Sequence, residues 1–130
     1  MDGRRELEGQ VAIVTGAGIN TGAVIAELLA SAGAAVAINY RNSGAGAEDN
    51  ARRIVAAGGR AIAVQGDVTK QEDVRRVVET AMKEFGRIDI LVNNAMKIVP
   101  GKLEQLPLEA WDTTMNIGLR GAFYMSQQAA

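Results

Sequence analysis

Residues 11–22 read Val-Ala-Ile-Val-Thr-Gly-Ala-Gly-Ile-Asn-Thr-Gly, and this stretch decides the fold. The apolar run from Val11 to Thr15 is typical of a buried parallel strand. A glycine-rich turn from Gly16 to Gly22 follows, and apolar residues then recur at helical spacing from Val24 to Leu29 until Gly33 ends the pattern. The stretch therefore predicts a strand, a tight loop and a helix, in that order.

The rest of the chain continues this alternation. Apolar runs and helical periodicity predict three further strands and three further helices. The strands are Ala35–Asn39, Ala61–Val64 and Ile88–Val92, and the helices are Ala47–Ala57, Thr69–Phe85 and Pro107–Ala130. Thr69 and Glu72 have the spacing of a capping box at the start of their helix. Strands and helices that alternate with short connections indicate an α/β fold, with helices on both faces of a parallel sheet.

Composition argues against several classes of protein. The 130 residues carry a net charge of -1 and no basic block, so we expect no nucleic-acid or membrane partner. No apolar run is long enough to span a membrane, and the polar segment from Met1 to Gln10 does not resemble a secretory signal, so we expect a cytoplasmic protein. The chain has neither Cys nor His, which argues against disulfides, a metal site and triad hydrolysis.

The glycine loop between the first strand and the first helix suits a phosphate ligand. Glycine lets the backbone approach a diphosphate, and the helix N-terminus offers free N–H groups and the positive end of its dipole. A tight turn without a ligand is the alternative. A Walker-type loop would need Gly-Lys-Ser/Thr at its end, and a response regulator would need an Asp cluster at the strand ends; this sequence has neither. A dinucleotide is therefore the favoured ligand.

The segment after the second strand favours NADP over NAD. In an NAD site, an acid about 20 residues past the glycine loop bonds the ribose 2′-hydroxyl. The segment from Asn39 to Ser43 contains no Asp or Glu. Arg41 could instead pair with a 2′-phosphate, helped by the Ser43 hydroxyl, unless Arg41 is only a solvated loop charge. We expect NADP as the cofactor, with NAD as the alternative.

Four short motifs follow one another along the chain. They are Thr15-Gly16 with Gly22, Gly66-Asp67-Val68-Thr69, Asn93-Asn94-Ala95, and Trp111-Asp112 followed by Met115-Asn116. Together they resemble the motifs of the short-chain dehydrogenase/reductase family, over nearly the whole chain. The resemblance implies one Rossmann-like domain over residues 1–130, a doubly wound parallel sheet with strand order 3-2-1-4. It also implies hydride transfer between NAD(P)(H) and a small-molecule ketone or alcohol.

The resemblance also assigns roles to individual residues. Asp67 and the backbone N–H of Val68 would hold the adenine ring. Asn116 would be the catalytic Asn that holds a water in the proton relay; the less favoured alternative is a helix-kink or hydrogen-bonding residue. The expected cofactor-binding residues are Gly16, Ala17, Gly18, Ile19, Asn20, Thr21, Gly22, Arg41, Ser43, Asp67, Val68, Asn93 and Ala95.

Three departures from the family pattern bear on the site. The family loop usually reads Thr-Gly-x-x-x-Gly-x-Gly, but here Asn20 replaces the middle glycine and Gly18 is an extra one. Asn is the residue next best suited to a left-handed backbone, so we expect the turn to survive. Met96 stands where the third motif has glycine, and its side chain could crowd the nicotinamide ribose. The catalytic Ser and the Tyr-x-x-x-Lys motif are missing, since Tyr124 has Gln128 in place of Lys.

Two interpretations of function follow. The first is an NADP-preferring oxidoreductase of which these residues are a truncated form, inactive alone. The second is a non-catalytic protein that binds an adenine dinucleotide or associates with a full-length homologue. In both, the strand Ile88–Val92 would form an open, apolar sheet edge, so we expect self-association or a homo-oligomer through that edge.

We predict that the 130-residue chain does not oxidise NADPH with ketones, because it has no Tyr-x-x-x-Lys pair to protonate the carbonyl oxygen. Cofactor absorbance would be followed over a panel of ketones, with a mock purification as the control for host reductases. NADPH oxidation that scales with the concentration of the pure chain would contradict this prediction.

Overall fold

The computed structural model describes residues 5–130; residues 1–4, at the start of the polar N-terminal segment, lie outside the described part. Strands and helices alternate along the described chain. The strands are β1 (Val11–Val14), β2 (Ala35–Tyr40), β3 (Arg60–Gln65) and β4 (Ile90–Val92). The α-helices are α1 (Asn20–Ser31), α2 (Gly44–Ala56), α3 (Gln71–Phe85), α4 (Leu108–Met115) and α5 (Gly121–Ala129). A 3-10 turn spans Leu103–Gln105, and a π-helical segment, Asn116–Arg120, joins α4 to α5.

The four strands form one parallel sheet in the order β3-β2-β1-β4. β1 lies inside the sheet, where Ala12 is opposite Val36 of β2 and Ile90 of β4. All of its side chains are buried, because helices cover both faces of the sheet. The predicted α/β class and the strand order 3-2-1-4 are confirmed.

The core has one apolar layer on each face of the sheet. Successive side chains of a strand point to opposite faces. Val14 and Ile38 therefore pack with residues of α1 and α2, whereas Ile13 packs with residues of α3 and with Met125 of α5. None of the helices within residues 5–130 is long and apolar enough to cross a membrane.

The capping box predicted at Thr69 and Glu72 is wrong. Helix α3 begins at Gln71 after Lys70, and no side chain caps its N-terminus. The Thr69 hydroxyl instead donates a hydrogen bond of 2.7 Å to Oδ1 of Asp67. A carboxylate is a strong acceptor, so this charge-assisted bond takes the hydroxyl away from the helix end. Thr69 therefore stabilises the loop after β3 by bonding Asp67 instead of capping α3.

Other elements also differ from the sequence prediction, and α2 begins at Gly44 rather than Ala47. The last helix is interrupted, because Asn116–Arg120 forms a π-helical segment, a feature that apolar periodicity does not reveal. β4 begins at Ile90 rather than Ile88, because the carboxylate of Asp89 takes the N–H of Val11, which a longer strand pair would bond to a carbonyl; the N–H of Asp89 still donates to the carbonyl oxygen of Val11 at 2.9 Å. Oδ2 of Asp89 accepts a hydrogen bond of 2.9 Å from the backbone N–H of Val11.

β4 forms one edge of the sheet in the described chain, and its three side chains are half-buried. Leu91 packs on the core layer of α3, and Val92 packs on the layer of α1 and α2. Ile90 belongs to neither layer. Ile90 is therefore the position at which this edge can be altered with least harm to the core.

We predict that the chain self-associates through β4 and that Ile90→Lys raises the monomer fraction, because a charge on an edge strand discourages pairing. Leu91→Lys is the matched variant. It should instead lower the free energy of unfolding by about 2 kcal/mol or more, because it places an amine in the core layer. Sedimentation velocity over a concentration series and urea unfolding measure the two effects. A wild-type chain that stays monomeric at every concentration would refute self-association.

Candidate functional site

A cleft of about 500 Å³ opens at the carboxyl ends of the four strands. Asn39 near the end of β2 and residues that follow β1, β2, β3 and β4 line it, together with Ile117 of the π-helical segment. In open α/β sheets, ligands bind at this edge, beside the point where the strand order reverses. That point lies between β1 and β4. The volume lies within the range of small-molecule pockets.

The loop after β1 brings the N-terminus of α1 to the cleft. Gly16 has a φ of 61° and Asn20 a φ of 53°. The left-handed backbone expected at Asn20 is confirmed, so the turn survives without the family's middle glycine. At Gly16 a Cβ atom would lie 2.8 Å from the Cα atom of Ala95. Only glycine lets the loop pass so close to the segment after β4.

Gly18 allows the glycine loop to pack closely against the start of α2. The residue is buried, and a side chain there would overlap the hydroxyl of Ser43, which immediately precedes α2. A Cβ atom on Gly46 of α2 would likewise overlap the carbonyl oxygen of Gly18. The extra glycine in the sequence thus allows α2 to begin directly against the glycine loop, and it leaves Ser43 at the cleft.

The buried side chain of Asn39 joins the ends of three strands. It is only 2% exposed and lies near the end of β2. Its Oδ1 accepts a hydrogen bond of 3.4 Å from the backbone N–H of Gly16. Its Nδ2 donates to the carbonyl oxygens of Val64 and Gly66, at 3.2 and 3.1 Å. One amide therefore fixes the glycine loop relative to the segment that carries Asp67.

A second set of bonds joins the loops after β1 and β4. The buried Thr15 hydroxyl oxygen accepts hydrogen bonds of 3.1 and 3.0 Å from the backbone N–H groups of Asn94 and Ala95. Nδ2 of Asn94 donates to the carbonyl oxygen of Gly16 at 3.1 Å. The two loops on either side of the switch point therefore have a fixed separation.

Asp67 and Arg41 form an ion pair at the cleft. Oδ2 of Asp67 lies 3.4 Å from Nε of Arg41, and the side chains are 13% and 57% exposed. Burial opposes ionisation of Asp67. Hydrogen bonds from the hydroxyl and backbone N–H of Thr69, with the charges of Arg41 and Lys70, outweigh that effect and hold the pKa of Asp67 below its usual range. Asp67 is therefore an ionised acceptor at neutral pH.

The structure brings most of the expected cofactor-binding residues into this one cleft. Those that line it are Gly16, Ile19, Asn20, Thr21, Gly22, Arg41, Ser43, Asp67, Val68 and Ala95. Ala17 and Gly18 are buried in the loop. Asn93 is exposed outside the lining, and its Nδ2 donates to the hydroxyl of Ser126 at 3.2 Å. Asn116 is half-buried at the start of the π-helical segment and does not line the cleft.

Several lining residues were not among the expected cofactor-binding residues, although Gly66 and Asn94 belong to the motifs and Met96 was expected to crowd the nicotinamide ribose. They are Asn39, Asn42, Gly66, Asn94, Met96, Lys97 and Ile117. Asn39 and Asn94 carry a usable signal, since each is a polar residue near the end of an apolar strand. Met96 is 65% exposed beside Ala95, at the position where the family has glycine. Ile117 has no sequence signal, because its place at the cleft depends on the π-helical segment.

Comparison with known proteins identifies the family. The short chain dehydrogenase family matches residues 10–130, and the chain belongs to this family. An uncharacterized oxidoreductase of Methylorubrum extorquens is 43% identical over 125 residues, which are 96% of this chain and 50% of that protein. The chain spans about half the length of the curated relatives it matches.

Solved structures with the same fold include two with a nicotinamide cofactor. A short chain dehydrogenase from Burkholderia cenocepacia in complex with NADP superposes with a TM-score of 0.90 at 42% identity, over 95% of this chain and 51% of that one. A blue fluorescent protein from a metagenomic library, in complex with NADPH, has a TM-score of 0.88 at 38% identity over the same shares. These matches confirm the family resemblance of the four motifs and the Rossmann-like fold.

We predict that Asn39→Ala lowers the free energy of unfolding by about 2–4 kcal/mol, because it removes the buried donor to two carbonyl groups and leaves a small cavity. Asn42→Ala is the control. It removes the same group from an exposed cleft residue and should stay within about 0.5 kcal/mol of the wild type. Urea unfolding with an unchanged slope measures both variants. An equal decrease in the free energy of unfolding of both variants would show that Asn39 does not hold the loops.

Proposed function

We propose that the cleft binds the adenosine half of NADP(H), and that the protein is an NADP(H)-dependent oxidoreductase that interconverts a small-molecule ketone and an alcohol. The observation that carries the proposal is the composition of one cleft. It contains the N-terminus of α1, then Arg41 with Ser43, and then Asp67 with Val68. These three groups suit, in that order, a diphosphate, a 2′-phosphate and an adenine ring.

The N-terminus of α1 suits the diphosphate. Ile19, the residue before the helix, provides no side-chain cap, and the first turn contains no acid. The first N–H groups of the helix are therefore available, and the helix dipole favours an anion. Helix α3 differs, because its first turn carries Glu72 and Asp73. The distribution of acids thus agrees with an anion at α1.

Arg41 and Ser43 suit the 2′-phosphate. The Ser43 hydroxyl makes no capping bond to α2, and the first turn of α2 contains no acid. An arginine can bind a phosphate through two parallel charge-assisted bonds. The interpretation of Arg41 as a solvated loop charge fits less well, since its guanidinium contacts Asp67 at the cleft. NADP in the Burkholderia protein and NADPH in the metagenomic protein support the same preference.

Asp67 and Val68 suit the adenine ring. The ionised Asp67 offers an acceptor for the exocyclic amine, and the backbone N–H of Val68 offers a donor for a ring nitrogen. Both residues line the cleft. Thr69 holds the carboxylate in place through bonds of 2.9 Å from its backbone N–H and 2.7 Å from its hydroxyl.

When bound, NADPH supplies the hydride that reduces a carbonyl carbon. We propose that Asn116, the first residue of the π-helical segment after α4, holds a water for the proton relay. The next residue, Ile117, would form an apolar wall of the cleft. Neither Tyr40 nor Tyr124 has a Lys four residues later, so we assign no acid or base to these 130 residues.

We predict that Arg41→Ala lowers the preference for NADP over NAD by about 1.5–3 kcal/mol, because it removes a charge-assisted bond to the 2′-phosphate. Arg75→Ala is the control, since Arg75 is an exposed cation of α3 outside the cleft. Calorimetric titration of each variant with both cofactors gives the preference. Equal affinity of the wild-type chain for NADP and NAD would contradict the assignment of Arg41. Binding of neither would contradict the proposed function.

A further inference from the structure

We infer that Asp67 is a positioning residue for Arg41, and that it thereby helps to set the preference for a 2′-phosphate in addition to contacting adenine. The inference rests on the proposed function. Its starting point is the ion pair between Nε of Arg41 and Oδ2 of Asp67, whose atoms are 3.4 Å apart. Both residues line the cleft.

Arg41 needs a restraint to bind a phosphate well. It lies in the short segment between β2 and α2, and 57% of its side chain is exposed. An exposed arginine loses rotational freedom when it binds a ligand, and this loss weakens binding. Within residues 5–130, Asp67 is the acid that forms an ion pair with the guanidinium of Arg41. The backbone carbonyl of Arg41 also accepts a hydrogen bond of 3.4 Å from Nε2 of Gln65, the last residue of β3. Arg41 is therefore held through its side chain and through its backbone.

Asp67 is itself held firmly enough to serve as the anchor. Its Oδ1 accepts hydrogen bonds of 2.9 and 2.7 Å from the backbone N–H and the hydroxyl of Thr69. Its backbone N–H donates to Oδ2 of Asp73 at 2.9 Å. Thr69 therefore fixes the carboxylate and the first turn of α3 fixes the backbone of Asp67, while Oδ2 lies toward Arg41.

The form of the ion pair leaves the phosphate-binding part of Arg41 available. A guanidinium has one N–H on Nε and four on its two terminal nitrogens. The ion pair with Asp67 is formed at Nε, and none of the hydrogen bonds within residues 5–130 uses a terminal nitrogen of Arg41. Arg87 provides the contrast within the same chain, because Asp89 engages both its Nε, at 2.9 Å, and its Nη2, at 2.6 Å. Arg41 is thus restrained while its terminal nitrogens can still bind an anion.

The same ion pair would also be present if Asp67 weakened the binding of a phosphate to Arg41. A carboxylate can compete with a phosphate for an arginine and can repel the phosphate directly. Positioning and competition predict opposite changes when the charge of Asp67 is removed. A third role, contact with adenine alone, predicts no change in preference. The sign of the change therefore decides among the three.

The test compares adenosine 2′,5′-bisphosphate with 5′-AMP, which differ only in the 2′-phosphate, on the whole chain by calorimetry. The variants are Asp67→Asn, Arg41→Ala and the double variant, with Glu79→Gln as the control for net charge because Glu79 is exposed on α3 outside the cleft. We expect Asp67→Asn to lower the preference for the bisphosphate roughly three- to tenfold. The same substitution should not change the preference in the Arg41→Ala background.

Thr69→Val provides a second route if Asp67→Asn does not fold. It keeps the charge of Asp67 but removes the hydroxyl that holds its carboxylate, so it should lower the preference in the same direction. Equal weakening of both nucleotides by Asp67→Asn would overturn the inference, and so would a rise in the preference for the bisphosphate. A wild-type chain that binds neither nucleotide would instead overturn the proposed function on which the inference rests.

Discussion

The buried amide of Asn39 holds the carboxyl edge of the sheet together, and the rest of the site depends on it. Two backbone bonds join the loops after these neighbouring strands, from the N–H of Ala17 to the carbonyl oxygen of Asn39 and from the N–H of Gly66 to that of Tyr40, and buried side chains add the rest. Asn39 bonds the backbone of Gly16 on one side and the backbone of Val64 and Gly66 on the other. Thr15 extends the same role across the switch point to the segment after β4. The cleft is thus shaped by backbone groups that buried side chains hold in place.

The charges around the cleft also favour an anionic ligand. Helices α1 and α2 both begin at it, and neither has an acid in its first turn. Asp67 lies nearby, but Arg41 and Lys70 offset its charge, and Thr69 bonds keep it ionised. Small residues make this arrangement possible, because Gly18 allows α2 to begin against the glycine loop. Packing and electrostatics therefore favour the same class of ligand, an anionic nucleotide.

Much of the fold could be predicted from the sequence, because apolar periodicity and glycine positions determine it. The alternation of strands and helices follows from these local signals, whereas the strand order 3-2-1-4 and the left-handed Asn20 are implied by the resemblance to the family. The capping box at Thr69 could not be rejected from sequence, because its competitor is a carboxylate brought close by the loop itself. The π-helical segment and the place of Ile117 at the cleft depend on tertiary packing that no short pattern encodes. Residues expected to bind the ligand, such as Arg41 and Asp67, could be predicted from the sequence. Asn39 could not, because its side chain bonds the backbone of neighbouring loops.

The central claim is that this cleft is a binding site for the adenosine half of NADP(H). Amide chemical shifts of the isotopically labelled chain, measured by NMR during titration with NADP, test it most directly. Saturable shifts should concentrate in residues 16–22, 41–44 and 66–68, while the amides of the outer face of α3, such as Glu79 and Lys83, should stay unchanged. No shifts at millimolar NADP, or shifts that concentrate outside these three segments, would contradict the claim.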